Sequence, residues 1–193
     1  MISKNYKLVL GIDPSMASPG FAVISVSGES LVCEYSCAIK TKLRGKIEAR
    51  RGNYKAESDR LCAIGYAFET RILKNFVFDA VAMEAMPFGS HRLETLSMVT
   101  GCLLHVLATY GYFDVAYYYP SAVKKALCGV GTAEKPQVQT AVQELLAAPW
   151  EFKSYDESDA AAVAIHHARA NQMCDLQARF FNYPILTKRK TTK

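Results

Sequence analysis

Four acidic residues, Asp13, Glu84, Asp156 and Asp159, stand at positions from which they could share one site. Asp13 follows the short apolar run of Leu8, Val9, Leu10 and Ile12, and Glu84 ends a second such run, FVFDAVAME. A carboxylate at the end of a buried strand lies at the edge of a sheet, where open α/β folds bind ligands. Asp156 and Asp159 are three apart, so on a helix they share a face. Ala160, Ala161 and Ala162 follow, small enough to let that helix lie close to the sheet. Four carboxylates within a few ångströms repel one another, and a divalent cation relieves the repulsion. An all-oxygen donor set favours Mg²⁺, with Mn²⁺ as substitute, over zinc. Two such ions, roughly 3.5–4 Å apart, can activate water and stabilise the leaving oxygen of a phosphodiester. Three of the four also have an ordinary explanation: an Asp-Pro-Ser turn for Asp13, and a dipole-favoured helix start for Asp156 and Asp159.

The elements that must position these acids can be read from periodicity. Strands are expected at about 7–13, 20–27 and 30–39, the last two joined by the hairpin turn Gly28-Glu29-Ser30. A polar, basic connection leads into a helix at about 55–75, with Leu61, Ile64, Phe68, Ile72 and Leu73 on one face. A strand from Phe76 to Glu84 follows, then a helix at about 91–110 in which Gly101 is expected to admit a close neighbour. DVAYYY is a fifth strand, Asp114 to Tyr119, closed by Pro120. A short helix through Lys124 and Lys125 precedes one capped by Thr132, with Pro136 in its first turn, and a last helix begins near Asp156. This order predicts an α/β class with a mixed five-stranded sheet flanked by helices.

At 193 residues the chain suits a single domain, 1–193, with a basic tail at about 187–193. No apolar run approaches the roughly 20 residues needed to span a bilayer. The first residues do not resemble a signal peptide, so a cytoplasmic protein is expected, with no membrane partner. The cysteines at 33, 37, 62, 102, 128 and 174 include no CxxC pair and no zinc spacing. The net charge of +5 is unevenly placed: Lys40, Lys42, Arg44, Lys46, Arg50, Arg51, Lys55 and Arg60 crowd one stretch. With acids gathered elsewhere, such a stretch suits a polyanion held over a metal site.

Four segments resemble the RuvC family of Holliday junction resolvases: GIDPSMASPGFAVI at 11–24, AVAMEAMPF at 80–88, KKALCGVGTAEKPQVQ at 124–139 and DESDAAAVAIHHA at 156–168. They fall in family order, and the GVGTAEK loop is the most specific. The resemblance implies a ribonuclease H-like fold and maps the metal-binding acids onto Asp13, Glu84, Asp156 and Asp159. Some relatives carry His in place of Asp156. It also implies that Lys124 and Lys135 lie near the scissile phosphate as catalytic lysines, and that Phe88 stacks on bases at the junction, although Pro87 shifts its spacing by one. Lys125, Arg44, Lys46, Arg50 and Arg51 complete the expected DNA-binding set.

The activity so implied is metal-dependent, structure-selective endonuclease cleavage that resolves Holliday junctions by paired phosphodiester hydrolysis in DNA recombination and repair. A homodimer is expected, since a four-way junction has two related strands to cut, and the Gly101 helix is its expected interface. Three alternatives stay open. A phage-type enzyme acting on forks and flaps would suit the long basic stretch, and a non-catalytic junction-binding protein would suit the charge. An actin-like ATPase would share the first motif. The host compartment is a bacterial cell or one infected by a phage.

Overall fold

A computed structural model describes residues 7–41, 54–86 and 93–181; the side chains of 54, 55 and 172–181 are outside that description. Arg44, Lys46, Arg50, Arg51, Phe88 and the basic tail therefore lie outside the described residues. Strands β1 (Lys7–Asp13), β2 (Gly20–Ser27) and β3 (Ser30–Ala38) form an antiparallel meander. Strands β4 (Ala80–Glu84) and β5 (Val115–Tyr118) add to β1 in parallel, giving the order β3-β2-β1-β4-β5. β1 is central, so Val9, Leu10, Gly11 and Ile12 are buried from both faces, and Asp13 is delivered to the sheet edge.

Helices α1 (Tyr54–Phe68) and α2 (Leu93–Thr109) cover one face, where Leu10, Ile12, Phe21, Phe68 and Leu103 pack together. Helices α3 (Pro120–Cys128), α4 (Lys135–Leu145) and α5 (Tyr155–Phe181) cover the other. There the core is built from small residues, with Gly11 and Ala22 of the sheet meeting Ala160 and Ala164 of α5. None of the described helices is long and apolar enough to cross a membrane.

The structure departs from the expected elements at four points. The α1 helix ends in a π-helical turn, Glu69–Leu73, whose wider spacing turns the consecutive Ile72 and Leu73 both into the core. The fourth strand starts at Ala80 instead of Phe76, because the Asp79 carboxylate accepts the Leu8 N–H at 2.7 Å and ends the ladder there. The N-cap of α4 is Glu134 and not Thr132; the Glu134 N–H donates to Gln137 Oε1 at 2.8 Å, a reciprocal capping arrangement. Finally, among the described residues nothing lies within 4 Å of where a Cβ at Gly101 would stand, while the close approach of α1 and α2 falls at Gly65, opposite Cys102 Sγ.

Candidate active site

The acids converge because two glycines remove the side chains that would hold α5 away from the sheet. A Cβ at Gly11 would collide with the Ala160 carbonyl oxygen, and one at Gly20 with the Asp156 carbonyl oxygen. Gly20 is paired with Asp13 across β1 and β2, so the start of α5 is laid directly beside Asp13. The result is a cluster in which carboxylate oxygens of Asp13, Asp156 and Asp159 lie within 4.8 Å of one another. Glu84, at the end of the adjoining strand, lines the same 180 Å³ cavity as Asp13, Asp159, Lys124 and Lys135.

Charge in this cavity is poorly tolerated without a cation. The Asp13 carboxyl is pushed well above its ordinary range, first by burial and then by Glu84, Asp159 and Asp156. Glu84 is raised to about 7, again by burial first and then by Asp159, with Lys124 and Lys135 pulling the other way. Asp159 is raised by burial, against the pull of Lys135. Lys135 supplies the local counter-charge: its Nζ lies 3.2 Å from Asp159 Oδ2 and 3.4 Å from Asp156 Oδ1. Burial acts to lower the Lys135 pKa, but Asp159, Asp156 and Asp13 together outweigh it and the ammonium is held charged. Two ammonium groups, of Lys135 and Lys124, face four acids, so the set is suited to a divalent cation with oxygen ligands.

Lys135 reaches the acids because it is the first residue of α4, and Lys124 because α3 starts at Pro120, immediately after β5. The α3 helix ends at Gly129, whose φ of 81° suits glycine and whose N–H closes on the Lys125 carbonyl at 3.0 Å. Lys125 itself is exposed and does not line the acid cavity. His166 and His167 fasten α5 to β5: Tyr118 Oη lies 2.9 Å from His167 Nδ1, and the Tyr118 ring meets His166 edge-on.

Two supporting groups escape a reading of the sequence. Glu157, next to Asp156 but on the buried side of α5, accepts hydrogen bonds from Ser36 Oγ at 2.7 Å and from the Lys153 N–H at 3.3 Å. Ser36 in turn accepts from Trp150 Nε1 at 3.0 Å, which ties the segment before α5 to β3. Arg60, which the sequence places in the basic stretch, turns inward. It donates to the Met16 carbonyl and to Thr41 Oγ1, each at 2.8 Å, and braces the turn after Asp13. Residue type alone marks each, an acid beside Asp156 and a base in the basic stretch, and type does not show which way a side chain points.

A mixed sheet in this order, with acids at the ends of β1 and β4 and at the start of the helix crossing them, is a ribonuclease H-like nuclease arrangement. The family model described as crossover junction endodeoxyribonuclease RuvC matches residues 9–167. The RuvC of Orientia tsutsugamushi strain Ikeda is 33% identical over 159 residues, covering 81% of this chain and 92% of that one. The RuvC of Leifsonia xyli is 35% identical over 165 residues, covering 83% and 73%. The structure of T. thermophilus RuvC in complex with a Holliday junction substrate superposes with a TM-score of 0.70 at 25% identity, covering 87% of this chain and 96% of that one. The chain belongs to the crossover junction endodeoxyribonuclease RuvC family.

Proposed function

We propose that this protein is a metal-dependent endonuclease that resolves Holliday junctions by paired hydrolysis of phosphodiester bonds. The observation that carries the proposal is the convergence of Asp13, Asp156 and Asp159 within 4.8 Å, with Glu84 in the same cavity. These four acids are the metal ligands, and the cofactor is Mg²⁺, two ions per site, with Mn²⁺ able to substitute. Bound there, the metal supplies Lewis-acid activation of water and stabilisation of the leaving oxygen.

The chain's own groups do the rest. Burial and mutual repulsion disfavour the ionised forms of Asp13 and Glu84 until a cation is supplied, which couples ionisation of the site to loading. Lys135 and Lys124 flank the cavity as the cationic groups that stabilise charge developing on the phosphoryl oxygens. Lys125, and Arg44, Lys46, Arg50, Arg51 and Phe88 outside the described residues, extend the contact to DNA. A homodimer places two such sites on the two related strands of a junction, with the exposed Gly101 side of α2 as the interface.

The experiment is cleavage of labelled four-way junction, fork and duplex, with and without Mg²⁺. Symmetric nicks in the junction alone, dependent on metal, are expected. Equal cutting of forks would favour the broader branched-DNA activity, and binding without cutting would overturn the enzymatic assignment. Sedimentation of wild type and Gly101→Arg at micromolar concentration tests the dimer: wild type should sediment as a dimer and the variant as a monomer.

A further inference from the structure

Beside the acid cavity lies a larger groove of about 660 Å³, with Lys40 and Lys153 on its walls, Phe152 in its lining and Tyr155 beside them. Lys135 and Asp156 line it too, so it is continuous with the acid site. Lys40 and Lys153 are exposed, and among the described residues neither forms an ion pair. Ser18 Oγ and Ser154 Oγ, of two lining residues, are buried and have no hydrogen-bond partner among the described residues. Tyr155 leaves 43% of its surface exposed, in a groove whose lining carries three lysines and one acid.

Both rims are fastened from behind. On one side the Ile39 N–H donates to the Pro19 carbonyl and the Thr41 N–H to the Ala17 carbonyl, each at 3.0 Å, so Lys40 projects from a braced segment. On the other, the buried Glu157 carboxylate holds the Lys153 N–H at 3.3 Å. A pair of ammonium groups carried on braced segments of one groove suits a phosphodiester, and an exposed tyrosine suits the face of a base. The volume falls in the small-ligand range of roughly 300–1,000 Å³, room for about one or two nucleotides of one strand.

We infer that this groove is a second subsite for the cleaved strand. It grips the phosphate next to the scissile one between Lys40 and Lys153, and stacks an unpaired base on Tyr155. The inference rests on the nuclease reading above, and it makes strand opening on one flank of the cut a requirement for tight engagement.

The test measures single-turnover cleavage of four-way junctions in which one phosphate at a time, on either side of the cut, is replaced by a neutral methylphosphonate. Wild type should lose about tenfold in rate at one position within about two nucleotides of the cut, and Lys40→Ala/Lys153→Ala should lose a similar factor on the unmodified junction. The decisive outcome is non-additivity, since the double variant should show no further loss with that methylphosphonate. Tyr155→Ala should lose roughly 5- to 100-fold in affinity and become indifferent to an abasic site on the same flank, with Tyr155→Phe restoring both. Independent, multiplying effects of variant and backbone replacement would overturn the subsite. The substituted side chains are exposed, and unchanged circular dichroism would verify folding. If wild type cuts no junction in Mg²⁺, the nuclease reading fails and the subsite with it; if wild type cuts and the effects multiply, only the subsite fails.

Discussion

Gly20 lies against the main chain of Asp156: a Cβ at position 20 would fall on the Asp156 carbonyl oxygen. Strand and helix thus meet backbone to backbone beside Asp13, the cross-strand partner of Gly20. The site depends on this absence of a side chain as much as on the acids it gathers. Gly20→Ala should therefore destabilise the protein by about 1–3 kcal/mol in urea unfolding, because neither carbonyl nor strand can rotate aside. Metal affinity by calorimetry should fall with it, since the start of α5 must shift. Wild-type affinity in a folded Gly20→Ala variant would show that the acids are placed some other way.

Glu84→Gln keeps the shape of the side chain and removes one of the charges that raise Asp13. Cleavage should drop by at least about 100-fold, while junction binding survives or tightens, because phosphate meets less repulsion. The fold should hold, since a cluster of like charges is a cost to stability. Wild-type cleavage by this variant in Mg²⁺ would remove Glu84 from the metal site.

Lys135 pairs with Asp156 and Asp159 when no other cation is bound, so it competes with metal for them. Lys135→Ala should leave metal affinity unchanged or raised, yet slow single-turnover cleavage by about 100- to 1,000-fold, with a smaller loss in DNA binding. Parallel losses in cleavage and binding would reduce Lys135 to a positioning contact.

The metal-free protein should become less stable as pH rises through the range set by Glu84. Its carboxyl titrates near 4.5 when unfolded and at about 7 when folded, so between these values the folded state holds more protons. The associated stability is fully present below 4.5 and is lost as pH climbs through 7. Asp13 shifts in the same direction and adds to the slope. Denaturation in EDTA should show this fall from pH 5 to 8, and Mg²⁺ should flatten it by stabilising the ionised acids. A slope that is the same with and without metal would place the titrating groups outside the metal site.

The buried Glu157 is a stability element as well as a brace. Glu157→Ala strands the Ser36 hydroxyl and the Lys153 N–H, at a cost of about 1–3 kcal/mol for each group left unsatisfied. Glu157→Gln, which keeps an acceptor, should recover much of that loss in urea unfolding. Equal destabilisation by Ala and Gln would mean that the negative charge, and not the hydrogen bonding, matters.

Most of the fold was legible in the chain because its signals are local. The apolar runs of β1 and β2, the turn at Gly28, and the small residues after Asp159 each report on a few neighbouring positions. The types of the four acids and their places at element ends were legible for the same reason, and together with the family motifs they indicated metal-dependent nuclease chemistry. Boundaries decided by partners distant in sequence were not legible. Asp79 ends the sheet ladder by accepting from Leu8, and Glu134 takes the cap expected at Thr132. Gly65 makes the close approach expected at Gly101. Nor could charge type show direction: Arg60 belongs to a basic run yet points into the turn behind Asp13, while Glu157 and Asp156, adjacent in sequence, serve opposite sides of one helix. The sequence by itself determined the chemistry available, since that depends on residue type and spacing. Only tertiary structure decided which groups face one another, because Gly11 and Gly20 act through surfaces contributed by a helix more than 130 residues away.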